Sequence, residues 1–64
     1  MCLSTVYKKE EAPENLVLRN VQRIEDRDGV LVFTNLMDQE VAIEGRIIRA
    51  DLIGGIVIVE EGRN

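Results

Sequence analysis

Turn signals interrupt this sequence so often that no long helical window survives. Asp28-Gly29 and Gly54-Gly55 are tight hairpin signals, and Gly45 breaks the remaining apolar stretch. Between them the apolar residues are mostly β-branched and come in short runs, which is the pattern of an all-β domain. The fold expected is a small antiparallel β-barrel or sandwich of five to seven short strands, with residues 1–64 forming a single domain.

The runs place the strands. Cys2 to Lys8 reads as the first, followed by a charged loop, Lys9 to Asn15, that holds Pro13. Leu16 to Asp26 is the second. Its alternation slips near Arg19 and Asn20, where a bulge would restore the register. Arg27-Asp28-Gly29 turns into the third strand, Val30 to Asn35. Met37-Asp38-Gln39 turns into a fourth, Glu40 to Glu44. After a bend at Gly45 comes a fifth, Arg46 to Leu52. Ile56 to Val59 is the last strand, and Glu60 to Asn64 is a polar tail.

Val30 to Phe33 and Ile56 to Val59 are apolar at every position, so both faces of these strands need cover. Val30, Val32, Phe33, Ile56 and Ile58 are expected to be buried. Two arrangements supply the cover: a two-fold homodimer that packs or pairs these strands, or a closed barrel. Size favours some supplement. A chain of this length buries only about 60% of its unfolded surface. Disulfides, metals or oligomerisation commonly make up the difference. Cys2 is the sole cysteine, so no intramolecular disulfide can form.

Several function classes fit poorly. The net charge is -4, from twelve acids against eight bases, and the bases are scattered. Nucleic-acid binding through phosphates needs a basic face. Tyr7 and Phe33 are the only aromatic residues, which leaves little for base stacking. No histidine is present, so no Ser-His-Asp or Cys-His set exists. The carboxylates lie mostly in turns or at strand ends beside basic residues, as a solvated surface would have them. No catalytic residues are assigned and the chain is not read as an enzyme. Asp51, two residues from Arg49 on one strand face, is either a ligand or orienting carboxylate, or one half of an ion pair. No signal peptide is expected from the charged opening, and no apolar stretch reaches membrane length. A lone cysteine suits a reducing compartment, so a cytoplasmic location is expected.

Cys2 directly follows Met1. Removal of the methionine would leave an α-amine and a thiolate on one residue, a pair that closes a five-membered chelate ring around a metal. Nitrogen and sulfur donors in a square plane characterise nickel(II) or copper(II). Two copies related by a two-fold axis would supply four donors to one ion. Structural zinc sites instead use four Cys or His ligands. Met37 is a candidate thioether donor or a core-filling residue. If Met1 is retained, the Cys2 nitrogen is an amide and the donor set differs. Taken by itself, a terminal cysteine is also compatible with an ordinary residue.

The start Met1-Cys2-Leu3-Ser4-Thr5-Val6-Tyr7 resembles that of the CooT family of small nickel-binding proteins. So do the runs Arg27-Asp28-Gly29-Val30-Leu31-Val32, Asn35-Leu36-Met37-Asp38, Gly45-Arg46-Ile47-Ile48-Arg49-Ala50-Asp51-Leu52 and Gly55-Ile56-Val57-Ile58-Val59-Glu60. The resemblance covers almost the whole chain. Of these segments only the Met-Cys start is chemically specific. The resemblance implies a homodimer that binds nickel(II) through Cys2. It also implies a role as metallochaperone or nickel store in maturation of carbon monoxide dehydrogenase or another nickel enzyme. Some members have been labelled predicted RNA-binding proteins, so a small RNA-binding or protein-interaction module is the alternative.

Overall fold

The computed structural model describes residues 3–62. Five strands follow one another: β1 (Ser4–Lys8), β2 (Leu16–Arg27), β3 (Val30–Asn35), β4 (Glu40–Asp51) and β5 (Ile56–Glu61). A single 3-10 turn, Pro13–Asn15, lies in the β1–β2 loop. The strands close into a barrel in chain order. Each neighbour in sequence pairs antiparallel. The closing seam, β1 with β5, is parallel, with Thr5 opposite Ile56 and Lys8 opposite Val59. An odd number of alternating strands makes this unavoidable, because the first and fifth then run in the same sense.

Val6, Val21, Leu31, Phe33, Ile43, Val57 and Val59 form the interior, with Val17, Leu18 and Val41 packed against it. Closure gives every strand two neighbours, and the two long strands divide their length between them. β2 pairs with β1 up to Val21 and with β3 from Val21 on, and β4 pairs with β3 up to Glu44 and with β5 from Gly45. Val32 and Ile58 alternate with core positions, yet they are only 6% and 5% exposed. Both faces of β3 and β5 are therefore largely covered within one closed-barrel chain, without a second copy. Val30 and Ile56 are half-buried, against the expectation of burial, because each stands at a strand start beside a turn.

Local chemistry explains the bends. Asp28 and Gly29 both have positive φ, 55° and 85°, and Arg27 faces Val30 across the two-residue loop. Two left-handed residues in a two-residue loop make the turn that matches strand twist. The expected bulge near Arg19 and Asn20 is present. Val6 faces Leu18 while Ser4 faces Val21, and Asn20 has φ 57°. Further register shifts lie between Val21 and Arg23 and between Ile47 and Arg49.

The expected fourth and fifth strands are one. Gly45 bends β4 but does not end it. A Cβ at Gly45 would stand 1.9 Å from the Glu60 carbonyl oxygen. The missing side chain lets β4 lie close against the Glu60 backbone at the point where it changes partners, from β3 before Gly45 to β5 from Gly45 on. The expected polar tail is correspondingly shorter, since Glu60 and Glu61 pair with Arg46 and Gly45.

Candidate metal centre

Cys2, the expected metal ligand and start of the first strand, lies outside the described residues. Leu3, the first of the described residues, is half-buried. Three interactions fix the chain just after it. Ser4 pairs with Val21 of β2, Thr5 pairs with Ile56 of β5, and the Thr5 N–H donates to the Gly55 carbonyl at 2.8 Å. The β1 start is thus clamped between β2 and the β4–β5 turn.

That turn is built by Asp51. Its Oδ1 accepts the Gly54 N–H at 2.9 Å, and its carbonyl accepts the Gly55 N–H at 2.8 Å. Asp side chains favour this closure because their short oxygen reaches a backbone N–H a few residues on. Gly55 has φ 73°, and a Cβ there would lie 3.0 Å from the Leu3 carbonyl oxygen. Only glycine suits both the left-handed backbone and the close approach. The ion-pair expectation for Asp51 does not describe this role. The carboxylate caps its own turn, and an Arg49–Asp51 pair is not among the ion pairs of the described residues. The spacing Asp-x-x-Gly carried the signal.

Leu52 and Ile53, on the same turn, are 69% and 100% exposed. Met37 is 78% exposed at the β3–β4 turn, so it does not fill the core. An open hollow of about 620 Å3 lies elsewhere, lined by residues that include Asp28, Glu44, Glu60 and Glu61. Two of its carboxylates are paired: Glu60 with Arg46 at 3.0 Å, and Glu61 with Lys8 at 3.1 Å. Among the described residues no group of three or more Cys, Asp or Glu side chains is arranged to hold a metal. The basic side chains are also partly engaged, since Lys8, Arg27 and Arg46 each meet a carboxylate. Among the described residues no helix is long and apolar enough to cross a membrane.

A crystal structure assigned as CooT from Carboxydothermus hydrogenoformans superposes with a TM-score of 0.85 at 21% identity. The alignment covers 97% of this chain and 100% of that one, and it establishes a shared fold. No curated protein matches the chain. Residues 1–60 match the profile of CooT, described as a CO dehydrogenase accessory protein. That match takes in the Met-Cys start, all of β1 to β4 and most of β5, and the chain therefore belongs to the CooT family.

Proposed function

We propose that this protein binds nickel(II) through Cys2 and stores or delivers it for a nickel enzyme, carbon monoxide dehydrogenase being the family's client. The observation that carries the reading is the family match, which includes the chain's one thiol. The Cys2 thiolate and its own nitrogen are the donors, and two copies share one ion on a two-fold axis. Leu52 and Ile53 are exposed on the turn whose Gly55 meets Leu3, and they support an association of copies through this turn. The acidic total and the paired bases speak against the RNA-binding alternative. The protein acts as an accessory rather than a catalyst, in the cytoplasm.

A nickel titration followed by native mass spectrometry tests the reading. One nickel per dimer is expected, with thiolate-to-nickel charge-transfer absorbance growing in step. Metal must displace the thiol proton, whose free pKa is about 8.5. Affinity should fall about tenfold per pH unit for each thiolate between about pH 8 and pH 6. Cys2→Ser should lose high-affinity binding and keep the barrel, because a neutral hydroxyl is a poor nickel ligand. Equal nickel affinity in Cys2→Ser would refute the site.

A further inference from the structure

We propose that Asp51 is a positioning residue for the chain start: through the β4–β5 turn it holds the backbone from which Cys2 extends. This rests on the reading of Cys2 as the nickel ligand. The linkage is continuous. The Asp51 carboxylate accepts the Gly54 N–H, and the Asp51 carbonyl accepts the Gly55 N–H. The Gly55 carbonyl accepts the Thr5 N–H at 2.8 Å. Gly55 also lies against the Leu3 carbonyl with no room for a side chain without displacement. Leu3 is covalently next to Cys2, so a fixed Leu3 restricts where a Cys2 donor can be presented.

The turn itself contributes nothing to the core, since Leu52, Ile53 and Gly54 are all exposed. Its closed form depends on the Asp51 acceptor and on the two glycines. Loosening it frees the backbone of Leu3 and Ser4 while the interior of the barrel keeps its contacts. A ligand set that must be ordered on binding is weaker than one held ready. Ordering one residue's backbone costs enough to weaken binding by about tenfold.

The test compares wild type, Asp51→Ala, Asp51→Asn and Cys2→Ser. Amide exchange is read first, without metal. In Asp51→Ala the Thr5 and Gly54 amides should exchange at least tenfold faster, while those of Val57 and Val59 stay protected. Nickel affinity in that variant should drop about 5- to 10-fold. Asp51→Asn keeps an oxygen acceptor and should restore both readouts, which a role for the charge alone would not allow. Unchanged Thr5 exchange in Asp51→Ala overturns the linkage. Altered exchange with wild-type nickel affinity, where Cys2→Ser abolishes binding, overturns the positioning role and leaves the metal site standing. Unchanged binding in Cys2→Ser overturns the metal site itself, and the positioning role with it.

Discussion

The β3–β4 and β4–β5 turns are built from the same plan and put to different ends. Each opens on an Asx residue that closes the turn, then displays two apolar side chains: Asn35-Leu36-Met37 in one and Asp51-Leu52-Ile53 in the other. Asn35 is buried and fully engaged. Its Oδ1 accepts the N–H groups of Met37 and Gln39 at 3.0 and 2.9 Å, and its Nδ2 donates to Gln39 Oε1 at 2.8 Å. Its carbonyl takes the Gln22 side chain, and the neighbouring Leu36 N–H reaches Asn20. Asp51 is exposed and its side chain makes one bond. The first turn is tied into the barrel by a satisfied polar network. The second is held lightly, and its far side is the chain start. A buried amide with several partners is expensive to disturb, whereas an exposed single bond is not.

The largest effect should come from Asn35→Ala. Removing three side-chain bonds is expected to cost about 2–3 kcal/mol, read as a shifted urea midpoint. In a domain of this size that lowers Tm by roughly 10–20 °C. Next comes Asn35→Asp, which keeps the acceptors but loses the donor to Gln39, at about 1–2 kcal/mol. The reciprocal change, Asp51→Asn, should be neutral within about 0.5 kcal/mol. Removing the acceptor with Asp51→Ala should cost about 1 kcal/mol, again by urea unfolding. If it costs as much as Asn35→Ala, the two turns do the same job and the contrast drawn between them fails. Smallest in stability is Ile53→Ser, which should stay within about 0.5 kcal/mol because the side chain is fully exposed. Its effect should appear instead in sedimentation, as weaker self-association, while Met37→Ser leaves association unchanged. The reverse outcome would move the proposed dimer contact to the β3–β4 turn.

Much of this architecture was legible in the residues. The Asp28-Gly29 hairpin, the slip at Asn20 and the all-β class followed from φ preferences and alternation, which are local properties. What escaped was non-local. Gly45 reads as a strand break because glycine weakens strands in general. Here the missing side chain makes room for the Glu60 backbone, and that is visible only once β5 is in place. Closure of the first strand onto the last joins residues far apart in sequence, so no window of the sequence contains it. Asn35 does not stand out as a turn anchor in the sequence, because its partner Gln39 lies on the far side of the turn. Asp51 stands out in the sequence by its charge and its place two residues from Arg49, whereas its role in the turn comes from its oxygen's reach to Gly54. At Cys2 the residue type and its place beside Met1 suggested the chemistry, and the family match extends over that position.

The parallel seam between β1 and β5 has a kinetic consequence. Its first register pair, Thr5 with Ile56, joins nearly the two ends of the chain. The hairpins β2–β3 and β3–β4 can form early, because their partners are close in sequence. The seam has to wait for the whole chain to wrap, and contacts of such long range slow folding into the range of milliseconds to seconds. Until it closes, the run Ile56-Val57-Ile58-Val59 presents an unpaired apolar edge, the kind of template on which chains aggregate. Crowded synthesis or brief heating should therefore be more hazardous to this protein than its equilibrium stability suggests. A mutation that delays closure would be expected to show first as lost soluble yield and only later as a lowered midpoint.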